Sequence, residues 1–467
     1  SKETIDELIE EAENGDIDFS LFELQDSKQL EEMNAKHAFI NTVGGKSMVM
    51  CNVYAPVYDK EIIEFRTPDS IKVQYSNKSV ELVSGDKIRH VELGTWWVKN
   101  SQRREYQTII FDPAKPKEYK GCYNLWGGFS VEPKKGNWKA FKKHIWKILC
   151  NKDPVKFKYV MKWFAWAIQN PHERAEVCLV FKGEQGSGKG LVLTQFAEIF
   201  GQHGMQIAQR EHLTGKFAGH LKTIVFLYAD EAYYPGDKEV EGNLKNLITE
   251  ARVTREAKFM DPVLDKNRLH IVMSSNNKWV IPASHDSRRF FINQIDDRYA
   301  RRRATEPERK RYFTPLWAEM NNGGRAAMLY DLLNYNLRGW HPRDDVPETE
   351  ELKMQQQMSL SRMEKFVLHF LENGCFPGQY MSHGYYRVNS RAFIDFVDEL
   401  DNDNKKLSER AKVLAVKELG AHTGERNSKF RYINFPSLKE MRMKWDEKYP
   451  PGEWDINELW QVTKQEY

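Results

Sequence analysis

The chain has 467 residues and a formal net charge of +3, and 40% of its residues are hydrophobic. This length allows about two to four globular domains. The nearly neutral charge means that any nucleic-acid binding must come from a local basic surface. No apolar stretch approaches the roughly 18 residues that span a bilayer, and the polar, acidic start does not resemble a signal peptide. We therefore expect no membrane association.

The cysteine pattern disfavours a disulfide framework or a zinc site. The five cysteines are scattered and form no C-x-x-C pair: Cys51, Cys122, Cys150, Cys178 and Cys375. This distribution favours a reducing compartment. The sequence begins at Ser1 without a methionine, so we expect it to be either a piece of a longer protein or a processed form.

Three predicted segments precede the most informative part of the chain. Residues 1–35 are acidic and helix-prone, and are predicted to be a helical linker. Residues 36–136 are rich in Val, Ile, Tyr and Trp with frequent turns, which predicts a mixed α/β region with several short strands. Residues 137–175 place apolar side chains at a spacing of three to four, which predicts helix that ends at Pro171.

A glycine-rich turn is the strongest single motif. It follows an apolar run at 177–181, precedes a helical pattern at 191–200, and consists of Gly183, Glu184, Gln185, Gly186, Ser187, Gly188, Lys189 and Gly190. Strand, glycine turn, lysine and helix in this order predict a phosphate-binding loop, because consecutive N–H groups and a helix N-terminus can converge on phosphate oxygens. A glycine turn in an unrelated α/β protein is the alternative.

Two positions at the end of this motif have separate expected roles. Lys189 is expected to contact the β- and γ-phosphates of a nucleoside triphosphate. Gly190 stands where a Ser or Thr hydroxyl normally binds Mg²⁺ in such loops. The sequence therefore predicts nucleotide binding with one metal ligand missing.

An acidic pair follows the next apolar strand. Residues 223–229 are mostly apolar and lead directly into Asp230 and Glu231. A buried parallel strand brings its last side chains to the carboxyl edge of the sheet, where ligands bind. We expect Asp230 to hold Mg²⁺, directly or through water, and Glu231 to orient the water that attacks the γ-phosphate. An ordinary acidic junction between strand and loop is the alternative.

A third strand and an arginine pair complete the predicted catalytic set. The strand ends just before Asn276, whose amide can contact the γ-phosphate or the attacking water, and Asn277 is a neighbouring alternative. Arg288 and Arg289 follow and can stabilise charge in phosphoryl transfer. Such arginines often act in the site of a neighbouring subunit. Alternatively, they pair with acidic residues such as Asp286.

The segment between the acidic pair and Asn276 is suited to contact DNA. Two β-prone runs flank a turn that contains Lys258 and Phe259, and Lys266 and Arg268 follow it. Cations can bind phosphates, and an aromatic ring can stack on a base. A solvated hairpin whose charges only protect an edge strand from aggregation is the alternative.

Residues 176–300 alternate strands and helices, which predicts an α/β core with a parallel sheet. Residues 301–354 are predicted to be a basic helical extension and a linker, with arginines at 301–303 and 309. The tail, 355–467, has three helical patterns followed by an apolar strand at 430–435, which favours a winged-helix-like domain. A helical bundle or cap without a DNA role is the alternative.

The ordered motifs resemble those of superfamily 3 helicases. Residues 183–189, Asp230 with Glu231, Asn276, and Arg288 with Arg289 match the family's motifs in order. The greatest likeness is to the D5-like helicase module of phage and plasmid primase-helicase or primase-polymerase proteins. The resemblance covers about 90–350 well and the remainder loosely.

This resemblance implies an AAA+-like P-loop ATPase core that uses ATP and Mg²⁺. It also implies a homo-hexameric ring that encloses single-stranded DNA, with Lys258 at the position of the family's basic pore residue. An N-terminal primase-polymerase region of the same parent chain is the expected partner. For such a protein we expect a cytoplasmic location, in the host cell if a phage encodes it.

The expected function is that of an ATP-dependent replicative helicase or translocase acting on single-stranded DNA. The alternative is a ring that holds single-stranded DNA as a platform for an attached primase-polymerase, with weak or no unwinding, and Gly190 favours this reading. A P-loop kinase for small substrates is disfavoured by the acidic pair, the arginine pair and the chain length.

Overall fold

The computed structural model describes residues 27–56, 60–84, 87–209, 221–231, 238–255, 263–281, 283, 287–381, 385–400, 408–426 and 431–462. The chain forms two compact units. The first comprises Ser1–Gly128, Phe217–Thr223 and Thr254–Asp265, and the second comprises Phe129–Lys216, Ile224–Val253 and Lys266–Tyr467. The domain boundaries proposed from the sequence stay predictions. Within the described residues, no helix has both the length and the apolar character needed to cross a membrane.

The first unit contains short strands and short helices, as the sequence predicts. Its helices are α1 (Ser27–Lys36), α2 (Pro68–Gln74) and α3 (Leu93–Lys99). Its strands are β1 (His37–Val43), β2 (Lys46–Ala55), β3 (Lys60–Arg66), β4 (Ser79–Ser84), β5 (Lys87–Glu92), β6 (Glu105–Tyr106), β7 (Thr108–Ile110), β8 (Glu118–Tyr119) and β9 (Cys122–Asn124). They form a four-stranded sheet β3-β2-β1-β6, a hairpin β4-β5 and a three-stranded sheet β7-β9-β8. Trp96 and Trp97 of α3 are fully buried in the core of this unit.

A five-stranded sheet is the centre of the second unit. Its strands are β10 (Cys178–Lys182), β11 (Gly204–Ile207), β12 (Phe226–Asp230), β15 (His270–Ser275) and β16 (Phe290–Gln294), in the order β11-β12-β15-β10-β16. All four pairings are parallel. The apolar runs of β10, β12 and β15 are buried, as expected for a parallel sheet with both faces covered. The predicted α/β fold with a parallel sheet is confirmed.

Helices precede, connect and follow these strands. They are α4 (Lys139–His144), which continues as a π-helix (Ile145–Leu149), α5 (Pro154–Gln169), α6 (Lys189–Phe200), α7 (Lys238–Thr249), α8 (Glu306–Glu319), a second π-helical segment (Met320–Gly324), α9 (Arg325–Leu333) and α10 (Glu350–Ser359). The predicted helix at 137–175 is present and ends before Pro171, where the pattern placed its end. The Asp153 carboxylate accepts hydrogen bonds from Val155 N–H and Lys156 N–H and so fixes the start of α5.

Aromatic rings pack the helices onto the sheet. Phe164 of α5 stacks on Phe196 of α6 with ring centroids 4.3 Å apart, and Phe200 stacks on Phe226 of β12 at 5.4 Å. The rings of Phe196, Phe200 and Phe226 are fully buried. These contacts hold α6, which begins at the end of the glycine-rich turn, against the centre of the sheet.

The basic extension differs in detail from its sequence interpretation. The arginines at 301–303 lie in a turn that precedes the helix. Helix α8 begins at Glu306, where Thr305 and Glu308 form a capping box. Reciprocal hydrogen bonds of this kind satisfy backbone donors at the first turn, so the helix starts after the arginine triplet rather than within it.

A predicted hairpin lies between α7 and β15. Strands β13 (Arg252–Arg255) and β14 (Val263–Lys266) form a two-stranded sheet. The turn between them, which contains Lys258 and Phe259, lies outside the described residues.

The tail contains the three predicted helices and the predicted strand. Its helices are α11 (Arg362–Asn373), α12 (Ser390–Leu400), α13 (Glu409–Lys417) and α14 (Leu438–Lys448), and its strands are β17 (Cys375–Phe376), β18 (Gln379–Met381), β19 (Tyr385–Asn389), β20 (His422–Arg426), β21 (Arg431–Phe435) and β22 (Gln461–Val462). Four strands form an antiparallel sheet β18-β19-β21-β20. Phe370, Phe393, Phe435 and Trp445 share one core. The winged-helix-like interpretation stays a prediction.

His270 makes the stability of the second unit depend on pH. Its ring is fully buried in β15, with centroids 6.0 Å from Trp163 and 5.4 Å from Trp166. Burial lowers the pKa of His270 from 6.5 to about 4. Between these values the unfolded chain binds more protons than the folded chain, so stability is full above pH 6.5 and is lost as the pH falls towards 4.

We expect His270→Asn to lose less stability on acidification than the parent chain. Lowering a pKa from 6.5 to about 4 corresponds to roughly 3 kcal/mol over the whole window. Urea unfolding at pH 7.5 and pH 5 measures the difference. His369→Asn on the exposed face of α11 is the control, and its free energy of unfolding should fall between pH 7.5 and pH 5 by as much as that of the parent. Equal acid sensitivity of all three chains would contradict the prediction.

Candidate nucleotide-binding site

The glycine-rich turn joins the carboxyl end of β10 to the amino end of α6, as predicted. Gly186 and Gly188 have φ angles of 82° and 104°, which L-residues rarely adopt. A Cβ at Gly188 would lie 2.7 Å from His144 Cε1, and a Cβ at Gly183 would lie 2.5 Å from Ile295 Cγ1. Glycine is therefore required both by backbone conformation and by close packing.

Lys189, the first residue of α6, lies under this loop. Its side chain is buried, and its Nζ donates hydrogen bonds to the Gly183 carbonyl at 2.8 Å and the Glu184 carbonyl at 3.3 Å. Burial lowers the pKa of Lys189, while the nearby carboxylates of Asp230 and Glu231 act in the opposite direction. The ammonium group is thus held between the loop and the acidic pair.

The acidic pair is fixed to the neighbouring strand β15. Asp230, the last residue of β12, accepts a hydrogen bond from the Ser274 hydroxyl, and Glu231 N–H donates to the Ser274 carbonyl at 2.9 Å. Glu231 has a φ of 53°, in the left-handed region that costs a residue with a side chain free energy. Backbone strain of this kind is concentrated at functional sites.

These groups meet in one cavity of about 680 Å³ at the carboxyl edge of the sheet. It is lined by Gln185, Gly186, Gly188, Lys189, Gly190, Leu191, Ala208, Tyr228, Asp230, Glu231, Arg309, Phe313 and Trp317. The volume lies within the range of small-molecule sites, and ligands of open α/β sheets bind at this edge. A glycine cradle with no room for a Cβ, a buried lysine and a helix N-terminus fit a triphosphate.

The acidic groups fit Mg²⁺ only together with a nucleotide. Among the residues that the structure describes, no group of three or more His, Cys, Asp or Glu side chains could hold a metal ion. Mg²⁺ is commonly bound by one or two carboxylates together with substrate phosphates and water. Asp230 therefore fits as one protein ligand of a metal that nucleotide oxygens also bind.

Helix α8 contributes one face to this cavity, which the sequence interpretation did not assign to the site. Arg309, Phe313 and Trp317 line it at four-residue spacing, so they share a helix face. The Arg309 Nε donates to the Tyr299 carbonyl at 3.0 Å, and its Nη2 lies 3.5 Å from the Gly186 carbonyl. Trp317 is 41% exposed. The four-residue spacing was the available signal, but it could not show which surface the face covers.

Asp297 and Arg303, which follow β16 in the chain, both contact Glu184 of the loop. Asp297 Oδ1 accepts a hydrogen bond from Glu184 N–H at 2.8 Å, and burial raises the pKa of this carboxyl. Arg303 forms an ion pair with Glu184 at 3.1 Å. Both contacts act on the loop itself, so they stabilise its shape rather than reach the cavity.

Helix α4 contacts the loop at its last residue, His144, and contacts Glu319 of α8 at its first turn. His144 Nε2 lies 3.3 Å from the Gly188 carbonyl and Nδ1 lies 3.0 Å from the Tyr312 hydroxyl. Burial lowers the pKa of His144 to about 4, so the ring is neutral near pH 7. At the other end of α4, Glu319 of α8 accepts hydrogen bonds from Ala140 N–H at 3.2 Å and Phe141 N–H at 2.8 Å.

Three predicted catalytic residues lie outside this cavity lining. Asn276 follows β15 directly and is exposed. Arg288 and Arg289 precede β16, and Arg288 lines a separate cavity of about 490 Å³. Because β16 runs parallel to β10, this arginine pair lies at the sheet edge opposite the glycine-rich loop, about 17 Å away along a five-residue strand. The pair therefore does not complete the site of its own chain.

The predicted DNA-contacting residues have different environments. Lys258 and Phe259 lie outside the described residues, as does Asp286. Lys266 is exposed at the end of β14. Arg268 is 7% exposed, and its Nη1 donates to the Lys266 carbonyl at 3.1 Å. A phosphate contact by Arg268 would require this side chain to leave its buried position, which the spacing of charges in the sequence could not reveal.

Comparisons with known proteins relate this region to a phage replication protein. A family model described as a family of unknown function (DUF5906) matches residues 181–289. The DNA primase-polymerase of Nitratiruptor phage NrS-1 is 26% identical over 140 residues, a match that covers 29% of this chain and 19% of that protein. The match thus spans about a fifth of the curated relative's length.

The fold is similar to solved structures of the same phage protein. The apo structure of the NrS-1 C-terminal region has a TM-score of 0.61 at 17% identity, and covers 87% of this chain and 98% of the solved chain. An A-form apo structure of that region gives the same values. Another A-form structure has a TM-score of 0.55 at 18% identity, and covers 78% of this chain and 96% of the solved chain. At these identities the likeness shows the fold alone.

We expect Glu231→Gly to be more stable than Glu231→Gln while both lose the acidic side chain. Glycine adopts a positive φ without steric cost, but ordering a glycine on folding costs more conformational entropy. We expect the removed backbone strain to outweigh that entropic cost by about 0.5–1 kcal/mol. Urea unfolding of the two variants measures this difference. Because both remove the same charge, the comparison isolates the backbone. A glycine variant no more stable than the glutamine variant would show that the backbone there is unstrained.

Proposed function

We propose that this chain binds ATP with Mg²⁺ at the loop 183–190 and hydrolyses it. The observation that supports this most strongly is the cavity in which the loop, Lys189 and the pair Asp230 and Glu231 meet. Nothing in a structural role requires a buried lysine beneath a glycine turn to face two carboxylates at the carboxyl edge of a parallel sheet. Phosphoryl transfer requires these groups together.

Each group has a role that follows from its chemistry. Lys189 and the N–H groups of the loop bind the β- and γ-phosphates, and Arg309 adds a cation from the side of α8. Asp230 holds the metal, which neutralises charge on the phosphates when bound. Glu231 orients the attacking water and accepts its proton. Phe313 and Trp317 offer apolar surface at the same cavity, where a base can stack.

The biological setting we propose is phage DNA replication. It is supported by the similarity to a phage DNA primase-polymerase and to the fold of that protein's C-terminal region. In this setting the chain acts on single-stranded DNA as an ATP-dependent replicative helicase or translocase of superfamily 3 type, in the host cytoplasm. An N-terminal primase-polymerase region of the same parent chain is its proposed partner.

We also propose a ring, a homo-hexamer with an AAA+-like core, in which each ATP site lies between subunits. Arg288 and Arg289 support this arrangement because they lie at the sheet edge opposite their own phosphate loop. In a ring, that edge can meet the loop of the next subunit and supply the charge that the site lacks. The hairpin with Lys258 and Phe259, together with Lys266, is the proposed DNA contact inside the ring.

A platform without unwinding is the second candidate. Gly190 favours it, because this position offers no hydroxyl to the metal. On this reading the ring holds single-stranded DNA for the attached primase-polymerase, and nucleotide binding only stabilises the ring.

We expect single-stranded DNA to stimulate ATP hydrolysis by the parent chain, and Lys189→Ala to abolish hydrolysis. Arg309→Ala should weaken nucleotide binding about tenfold or more, because a charged contact is lost. A fluorescent ATP analogue measures binding, and phosphate release measures turnover. Lys310→Ala, one residue away on the exposed side of α8, is the control and should match the parent.

Strand displacement on a forked duplex then separates the two candidates. Unwinding that needs both ATP and Lys189 supports the motor. Stable DNA binding with no ATP-dependent displacement supports the platform. Absence of nucleotide binding by the parent chain would refute the proposed site altogether.

A mixing experiment tests the shared site. We expect Lys189→Ala and Arg289→Ala each to be inactive alone, but an equimolar mixture to recover part of the ATP hydrolysis. In mixed rings some sites combine an intact loop from one subunit with an intact arginine from the next. Arg288→Ala in place of Arg289→Ala identifies which arginine acts. A mixture as inactive as its components would show that the site does not lie between subunits.

A further inference from the structure

The position next to Gly190 is not open space. A Cβ built on Gly190 would have one near neighbour, the hydroxyl of Tyr228, at 3.4 Å. Gly190 and Tyr228 line the same cavity as Lys189 and Asp230. The point at which related loops carry a Ser or Thr hydroxyl is therefore approached by a different hydroxyl, from strand β12.

Tyr228 belongs to a chain of hydrogen bonds that ends on Asp230. Its Oη lies 3.0 Å from Ser274 Oγ, and the Ser274 hydroxyl donates to Asp230 Oδ1. Because the proton of Ser274 is used on the carboxylate, Ser274 accepts from Tyr228. The order of donation is therefore Tyr228 to Ser274 to Asp230.

This hydroxyl is held in one place. Tyr228 is fully buried in the central part of the sheet, and its hydroxyl lies 3.0 Å from Ser274 Oγ.

We propose that Tyr228 compensates for the hydroxyl that position 190 lacks on the metal side of the nucleotide site. Its oxygen lies beside Gly190, and through Ser274 it fixes the orientation of the Asp230 carboxylate, the group that would hold the metal. Tyr228 is thus a positioning residue for the metal. This inference rests on the proposed function, since it requires that a nucleotide with Mg²⁺ binds at the loop.

A glycine at position 190 does not leave this side of the site without a hydroxyl, because the hydroxyl of Tyr228 lies close to it. A separation of 3.4 Å is ordinary van der Waals contact, so the Cβ of a serine at position 190 would be accommodated beside Tyr228. The two hydroxyls would then serve the same side of the site. Either one should be sufficient, and this redundancy can be tested by exchanging them.

The experiment measures binding of a fluorescent, non-hydrolysable ATP analogue to the full chain as Mg²⁺ is titrated, and again in EDTA. We expect Tyr228→Phe to raise the Mg²⁺ concentration at half-saturation about tenfold, as for loss of one hydrogen bond in a charged network, with metal-free binding unchanged. Ser274→Ala should shift the Mg²⁺ midpoint in the same direction. Gly190→Ser added to Tyr228→Phe should restore the parent midpoint.

Tyr159→Phe is the matched control. Tyr159 is also a buried tyrosine, but its hydroxyl donates to the Pro342 carbonyl at 2.7 Å and does not line the cavity. This variant should leave the Mg²⁺ midpoint unchanged even if its stability falls.

Each outcome bears on the inference separately from the proposed function. An unshifted midpoint for Tyr228→Phe, or equal weakening with Mg²⁺ and in EDTA, would overturn the inference while nucleotide binding by the parent upholds the site. Failure of Gly190→Ser to rescue would overturn it as well. A parent chain that binds no nucleotide under any condition would remove the proposed function, and this inference with it.

Discussion

Close packing around the glycine-rich loop at 183–190 fixes the positions of the elements that surround it. Three glycines of the loop have neighbours where a Cβ would be: Ile295 and Asp297 at Gly183, Arg301 and Arg309 at Gly186, and His144 and Phe313 at Gly188. These neighbours come from the end of β16, from α8 and its preceding turn, and from α4. The loop is therefore shaped from outside, and such preorganisation is what the proposed phosphate binding would need.

Much of the parallel sheet could be predicted because burial leaves a simple signature. Strands β10, β12 and β15 are apolar runs of five or six residues that end in polar side chains. The order of the strands across the sheet could not be predicted, because parallel neighbours are joined through long crossovers and leave no local signal. Short strands such as β18, with three residues, were missed for a related reason: too few residues show an alternation.

The site was predictable where its chemistry is local in sequence. Lys189, Asp230 and Glu231 each follow or end a strand, and the carboxyl ends of parallel strands lie at one edge, so the sheet brings them together. Their supporting residues were not predictable. In the sequence, Tyr228 looks like an ordinary core residue of an apolar strand. His144, Asp297 and Arg309 contact the loop from positions 44, 113 and 123 residues away in the chain. Only tertiary packing gives these residues their partners.

The contacts of α8 have a mechanical consequence. Its first half reaches the loop through Arg309 at Gly186, its last residue, Glu319, caps α4, and α4 returns to the loop through His144 at Gly188. The loop, α8 and α4 thus each contact the other two. A displacement of the loop would therefore act on both ends of α8, a helix of 14 residues and about 20 Å with Pro315 in its interior. The shape of the loop and the position of α8 along its whole length are coupled in this way.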